Sequence, residues 1–196
     1  FQGWEAEVHP AGREMTRLSI NVNKFALLRN SRDTDYPNLE TMARRAIAAG
    51  AHGITVHPRP DERHIRYSDV PVLSELTARH PEVEFNIEGN PIPEFLSVVD
   101  DVRPDQVTLV PDNPGQLTSD HDWDIKKEGE RLRPIIKDLH GKGIRVSLFV
   151  DPILDHLDLI RTVGADRIEL YTEPYARAFG TELEDEVWER FNAFAN

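Results

Sequence analysis

The segment Gly53-Ile54-Thr55-Val56-His57-Pro58-Arg59-Pro60-Asp61-Glu62-Arg63-His64-Ile65 decides the fold. Polar Thr55 and His57 alternate there with apolar neighbours, as is typical of a strand with one polar face. Pro58 and Pro60 then end the strand, because proline fixes φ and removes a backbone donor. A rigid strand-end loop with two imidazoles and two guanidiniums favours a site for an anionic substrate. A solvated surface loop beside a structural histidine is the alternative.

The same strand pattern recurs along the chain, with a helix predicted after each strand. Strands are predicted at 17–23, 53–57, 83–88, 106–110, 144–150 and 167–171, and helices at 37–49, 69–79, 92–101, 126–140, 153–163 and from 182 to the end. Six strand–helix units in strict alternation indicate a parallel sheet of an α/β protein.

The polar parity of these strands favours a barrel over an open sheet. Strands of an open α/β sheet are usually continuous apolar runs, whereas Glu84, Asn86 and Glu88 alternate with apolar residues. In a (β/α)8 TIM barrel such side chains converge on the axis and on the site at the carboxyl ends of the strands. An antiparallel sheet with one wet face also alternates, but the intervening helices count against it. We therefore predict a TIM barrel.

The chain contains six of the eight units of such a barrel, which has about 250 residues, whereas this chain has 196. We interpret residues 16–196 as a single TIM-barrel domain that is incomplete at its C-terminus. Residues 1–15 lack periodicity and begin with Phe-Gln-Gly, so we interpret them as a tag or leader of non-native origin.

Composition excludes several classes of function. The net charge of −12 argues against nucleic acid as a partner, and no apolar run approaches the ~20 residues of a membrane span. The sequence has no cysteine, which excludes disulfides, thiolate metal sites and a cysteine nucleophile and fits a cytoplasmic location. It also lacks the H-x-H pair common in metal-hydrolase barrels, so we expect no metal site.

Three ionisable residues at predicted strand ends are candidate catalysts, namely His57, Glu88 and Glu169. A histidine titrates near neutrality, and burial raises the pKa of a carboxylate toward it. Together such groups can pass protons in both directions, as imine or aldol-type chemistry requires. The alternative for each carboxylate is a buried ion pair with an arginine such as Arg145 or Arg167.

Candidate phosphate ligands are the four arginines Arg29, Arg32, Arg59 and Arg63. Guanidinium groups bind phosphate bidentately, whereas Lys24 would act as a point charge. Surface ion pairing is the alternative for Arg29 and Arg63. The hydroxyl of Thr118, in the long loop after the fourth strand, is a further candidate for a phosphate oxygen.

At this point the motifs resemble the pyridoxine 5′-phosphate synthase family, cofactor-free barrel enzymes of vitamin B6 synthesis. The resemblance extends from Leu18 to Ala176. It rests on L-S-I-N-V-N-K-F-A-L-L-R-N-S-R (18–32), G-I-T-V-H-P-R-P-D-E-R-H-I (53–65), F-N-I-E-G (85–89), V-T-L-V-P-D (107–112), V-S-L-F-V-D (146–151) and I-E-L-Y-T-E-P-Y-A (168–176).

The resemblance implies condensation of 3-amino-2-oxopropyl phosphate with 1-deoxy-D-xylulose 5-phosphate, with release of phosphate and water. It implies His57 and Glu88 as proton acceptors and Glu169 as the residue that stabilises charge during ring formation. It implies that the aminoketone phosphate is held by Asn21 and Arg32, and the deoxyxylulose phosphate by Asn23, Lys24, Arg59, His64 and Thr118. It further implies a cytoplasmic homo-octamer without a cofactor.

Two departures from the family pattern keep other functions open. Many members have Asp-His in place of Asn23-Lys24, and members continue through two more strands with a catalytic histidine and a Gly-His phosphate cradle. Another barrel lyase or isomerase acting on a sugar phosphate is one alternative. A non-catalytic phosphometabolite-binding protein is the other, if the chain is short.

Overall fold

The structure, a computed structural model, describes residues 16–32, 34–112 and 123–195. The strands are β1 (Ser19–Asn21), β2 (Gly53–Val56), β3 (Glu84–Gly89), β4 (Gln106–Leu109), β5 (Arg145–Val150) and β6 (Arg167–Leu170). The helices are α1 (Asn23–Asn30), α2 (Leu39–Ala48), α3 (Asp69–Thr77), α4 (Pro93–Val102), α5 (Ile125–Gly141), α6 (Leu157–Val163), α7 (Glu173–Ala178) and α8 (Glu184–Ala195). None of these helices combines the length and the apolar character needed to cross a membrane.

The six strands form one parallel sheet in chain order, from β1 to β6. The sheet curls into part of a barrel with alternating helices, which confirms the prediction of six units of a (β/α)8 barrel. Its register aligns Thr55 with Asn86 and Asn86 with Gln106. Polar side chains of one parity therefore lie next to one another across the sheet.

The apolar side chains of the other parity form the core between sheet and helices. Strand residues in this core include Ile54, Val56, Phe85, Ile87, Val107 and Leu109, and helix residues include Leu73, Phe95, Val99, Leu132 and Ile136. Burying one such large apolar side chain stabilises the fold by roughly 1.5–3 kcal/mol. This packing determines which face of each strand turns toward the barrel axis.

The polar face lines an open concavity of about 860 Å³. Every strand contributes to its lining, for example through Ser19, Thr55, Asn86, Gln106, Ser147 and Arg167. The alternation in the sequence therefore indicates which strand side chains face the concavity and which face the helices.

Helices α1 and α7 were not predicted, and α6 begins later than the helix predicted at 153–163. α1 begins directly after β1, where Asn21 Oδ1 accepts a hydrogen bond of 2.9 Å from the Asn23 N–H. Its apolar residues Leu27 and Leu28 are exposed, so the segment lacks the one-sided pattern that predicts a helix. α7 has six residues, too few for a visible period. The helix predicted at 153–163 is a 3₁₀ turn followed by α6.

Candidate active site

The carboxyl ends of β2 and β3 bring His57 and Glu88 together. His57 Nδ1 lies 3.7 Å from Glu88 Oε2, and the two side chains are 7% and 12% exposed. The register explains the contact, because Val56 is the partner of Ile87 and the next residues of parallel strands lie side by side.

Glu169 on β6, the third predicted catalytic residue, lines the same concavity as Glu88. Its charge acts on the carboxyl of Glu88, and its own carboxyl is hydrogen-bonded to Thr108. Thr108 is buried on β4, where it is the register partner of Glu88. Glu88 and Glu169 thus line the concavity, and His57 contacts Glu88 from the adjoining pocket that it lines with Arg59 and Asp112.

Burial raises the pKa values of both glutamates, and neighbouring carboxyl groups add to the effect at Glu88. Burial raises the pKa of Glu88 well above its usual range, and the charges of Glu169 and Asp112 raise it further, against the opposing effect of Arg59. Burial likewise raises the pKa of Glu169, although the Thr108 hydrogen bond opposes it. Since neighbouring buried carboxyls do not both ionise readily, this pair retains a proton where isolated glutamates are ionised.

His57 is neutral. Burial lowers the pKa of its imidazole to about 3, with smaller effects in the same direction from Arg59, His64 and Arg63. The contact with Glu88 is therefore not an ion pair. A neutral imidazole has one N–H donor and one unprotonated nitrogen, so this ring can donate one hydrogen bond and accept another.

His64 is a second neutral imidazole in the same loop. Burial, with Arg59 next in importance, lowers its pKa to about 4. Its Nδ1 accepts a hydrogen bond of 2.9 Å from the N–H of Ile65, which places the ring proton on Nε2. The ring centroids of His57 and His64 are 5.9 Å apart, so the imidazole of His64, which carries an N–H donor, lies near the imidazole of His57.

The predicted substrate-binding asparagines also hold the strand ends in place. Asn21 Nδ2 makes a long contact of 3.5 Å with Glu88 Oε2. Asn23 Oδ1 accepts a hydrogen bond of 2.9 Å from the backbone N–H of His57. The β1–α1 junction is therefore part of the scaffold of the proposed catalytic groups.

Arg59 is buried, and its guanidinium is ion-paired with Asp112. Oδ2 of Asp112 also lies 3.4 Å from Nε2 of His57, and the Asp112 carbonyl accepts a hydrogen bond of 2.8 Å from Asn90 Nδ2. Asp112 belongs to the quoted motif 107–112, but it was not predicted as a site residue. Its position behind Pro111, just after β4, was the available signal.

Arg29 forms a buried ion pair, whereas the sequence suggested a phosphate ligand or a surface ion pair. It is 5% exposed and forms two hydrogen bonds with the Asp69 carboxylate, of 2.7 and 2.8 Å. A third bond, of 3.2 Å, goes to the carbonyl of His64, and Asn30 donates to the same carbonyl at 2.8 Å. Arg29 and Asn30 therefore attach the loop after β2 to α1.

The remaining predicted ligands differ in their surroundings. Lys24 is exposed in the first turn of α1, and Arg32 is exposed two residues after its end. Arg63 pairs with Asp61, as the surface-pairing alternative expected. Thr118 lies outside the described residues. Across ranges 16–32, 34–112 and 123–195, no group of three or more His, Cys, Asp or Glu side chains is placed to hold a metal ion.

Relatives of known name match most of the chain. A family model described as "Pyridoxal phosphate biosynthesis protein PdxJ" matches residues 18–196. A pyridoxine 5′-phosphate synthase of Brucella abortus (strain S19) is 51% identical over 160 residues, which cover 81% of this chain and 65% of that protein. A protein of the same name from Xanthomonas campestris pv. campestris (strain B100) is 56% identical over 170 residues, 83% of this chain and 66% of that protein. The chain thus spans just under two thirds of their length.

Solved structures resemble the fold. HMG-CoA lyase from Brucella melitensis matches with a TM-score of 0.59 and 13% identity, over 92% of this chain and 69% of that one. Deoxyribose phosphate aldolase from Aeropyrum pernix matches with a TM-score of 0.55 and 14% identity, over 91% and 70%. At these identities the likeness concerns the fold alone.

Proposed function

Because the chain belongs to the PdxJ family of pyridoxal phosphate biosynthesis proteins, we propose that it forms pyridoxine 5′-phosphate from 3-amino-2-oxopropyl phosphate and 1-deoxy-D-xylulose 5-phosphate. The condensation releases phosphate and water. The observation that carries this proposal is the meeting of a neutral, buried imidazole with a pair of carboxyls that retains a proton.

Joining an amine to a ketone requires a base and an acid in one site. His57 serves as a proton acceptor, because its imidazole is unprotonated and its Nδ1 lies 3.7 Å from the Glu88 carboxyl, with which it can exchange a proton. Glu88 holds the shared proton at rest, gives it to a departing oxygen, and is then an acceptor for the next proton. Glu169 stabilises positive charge that develops during ring formation.

The two phosphorylated substrates are assigned to different parts of the site. Asn21 and Arg32 hold the aminoketone phosphate, at the two ends of the β1–α1 segment. The deoxyxylulose phosphate is held by Asn23, Lys24, Arg59, His64 and Thr118. The charge of Arg59 acts on the His64 imidazole, and this supports the second group, because a guanidinium and an imidazole N–H both donate to anionic oxygens.

We extend the proposal to a cytoplasmic homo-octamer that uses no cofactor. Large apolar side chains that an interface would cover are exposed, among them Leu28 (59%), Phe179 (66%) and Trp188 (54%). Sedimentation velocity of the purified protein should give eight times the mass of one chain. A monomeric mass at micromolar concentration would contradict the assembly and leave the chemistry to be tested separately.

The experiment that tests the activity is incubation of the purified protein with both substrates, without added metal or nucleotide. Pyridoxine 5′-phosphate should form with equimolar release of inorganic phosphate, as measured by mass spectrometry and a phosphate assay. Each substrate alone is the control and should yield neither. Conversion of one phosphorylated substrate without a pyridine product would instead indicate a lyase or isomerase.

A further inference from the structure

We propose that Asp112 is a positioning residue for His57: its carboxylate accepts the Nε2–H of the imidazole and thereby leaves Nδ1 as the basic nitrogen. This inference rests on the proposed role of His57 as a proton acceptor. It adds a residue and a ring tautomer to that role.

The imidazole of His57 lies between two carboxyl groups. Its Nδ1 is 3.7 Å from Glu88 Oε2, and its Nε2 is 3.4 Å from Asp112 Oδ2. Both distances are somewhat longer than a typical hydrogen bond, and catalytic hydrogen bonds commonly shorten when substrate binds. The Asp112 side chain is 6% exposed, so water competes little for either contact.

The charge states of the two carboxyls select one tautomer. Asp112 is ion-paired with Arg59, so its carboxylate can only accept a hydrogen bond. Glu88 retains a proton because burial and its acidic neighbours raise its pKa, so its carboxyl can donate. A ring with Nε2–H donates to Asp112 and accepts at Nδ1 from Glu88. The opposite tautomer would direct a lone pair at the Asp112 carboxylate.

The backbone around Asp112 keeps its carboxylate in this position. Pro111 restricts the chain just before it, the N–H of Val110 donates to the carbonyl of Gly89 at 3.0 Å, and Asn90 donates to the carbonyl of Asp112 at 2.8 Å. The end of β4 is therefore attached to the end of β3. This attachment holds Asp112 at a fixed distance from the β2 and β3 strand ends.

One carboxylate oxygen of Asp112 contacts both His57, the proposed base, and Arg59, a proposed phosphate ligand. Oδ2 of Asp112 pairs with Arg59 and contacts His57. The other charged or titratable groups that act on this imidazole are His64, Arg63 and Asp61. Asp61 acts through its charge and pairs with Arg63. Replacing Asp61 therefore changes the charge near the ring and leaves the Asp112 contact in place.

The ring tautomer is measured by long-range ¹H–¹⁵N spectra of protein with ¹⁵N-labelled histidine, in which protonated and bare nitrogens differ. The His57 signals are assigned by their loss in His57→Gln. We expect Nε2–H in the wild-type protein, in Asp112→Glu and in the control Asp61→Asn. In Asp112→Ala we expect both tautomers, and Asp112→Leu, which also lacks an acceptor and fills the volume, should give the same result if the alanine variant does not fold.

Activity provides a second readout. Asp112→Ala should lower kcat by about 10- to 100-fold, a fraction of the effect of removing a general base, and Asp112→Glu should restore most of it. A wild-type ring protonated at Nδ1, or pure Nε2–H in the folded variants without an acceptor, would overturn the proposal. The spectra require no turnover, so failure of the proposed function would show separately as a wild-type protein that yields no product.

Discussion

Two glutamates on one face of β3 have opposite surroundings. Glu84, at the amino end of the strand, is ion-paired with Arg145, and its other oxygen lies 3.6 Å from Arg167. Glu88, four residues later, faces neutral His57 and a second carboxyl group instead. The same residue type is therefore neutralised by cations at one end of the barrel wall and by a proton at the other.

The amino end continues into a network in which polar groups satisfy one another. Its bonds run from Arg145 and Arg167 to Gln106 (2.9 and 3.1 Å), from Gln106 to Asn86 (3.3 Å), from Asn86 to Thr55 (3.4 Å), and between Thr55 and Ser19 (2.8 Å). Such pairing is what buried polar groups usually achieve. At the carboxyl end, by contrast, burial and neighbouring carboxyl groups raise the pKa of Glu88, so that it retains a proton more readily. Titratable groups with strongly shifted pKa values are typical of functional sites.

The largest expected effect is the loss of turnover in Glu88→Gln. The amide cannot exchange the proton, so kcat should fall about 100-fold or more, as measured by product formation at saturating substrates. The matched control is Glu84→Gln, on the same face of the same strand, which should keep kcat within about threefold. Equal losses of kcat in the two variants would contradict the expectation that Glu88, and not Glu84, takes part in catalysis.

The next effect concerns stability at the amino end. Arg145→Ala leaves Glu84 without its closest cation and Gln106 with one donor fewer, so the free energy of unfolding should fall by about 1–3 kcal/mol. Urea denaturation followed by circular dichroism measures the change. The double variant Glu84→Gln/Arg145→Ala should recover part of the loss, and no recovery would show that the ion pair is not its cause.

A smaller effect with a defined pH dependence is expected for the stability of Glu88→Gln. The pKa of Glu88 is raised in the folded protein above its ordinary value of 4.5, so its contribution to stability is complete below about pH 4.5 and is lost as pH rises through the folded pKa. The glutamine variant does not ionise and should become the more stable protein as pH rises. Thermal melting at pH 4.5 and pH 8 tests this, and an advantage confined to pH 4.5 would contradict the sign.

The smallest effect is expected on the outer surface, where Arg44 pairs with Glu40 along α2. Both side chains are largely exposed, and pairs of this kind contribute less than about 0.5 kcal/mol. Arg44→Ala should therefore leave the urea midpoint nearly unchanged. A loss as large as that in Arg145→Ala would mean that burial does not distinguish the two ion pairs.

Residue parity made much of this arrangement predictable. Alternation along β3 and β6 places Glu88 and Glu169 on the axial face, and the motif around His57 indicates the third member. Alternation predicts which way a side chain points, but it does not predict which residues that side chain contacts. The ion pair of Arg29 with Asp69 joins residues forty positions apart, and no local pattern reports such a pair.

The same limit applies to charge state. Alternation places Glu84 and Glu88 on the same face of β3, but it does not show that arginines of β5 and β6 pair with Glu84 or that His57 and a second carboxyl group face Glu88. Asp112 is a similar case, because its contact with His57 depends on how β4 ends relative to β2. Short contacts between strand ends are set by the curvature of the sheet, which the order of residues does not specify.

The attachment of the β2–α3 loop to α1 has a consequence for engineering. The side-chain amide of Asn30 bonds the carbonyls of three successive residues, 62, 63 and 64, and Arg29 adds a bond to the last of them. The loop's shape is thus partly encoded in the preceding βα unit. Grafting the loop into a foreign scaffold without those two donors would transfer its sequence but not its conformation.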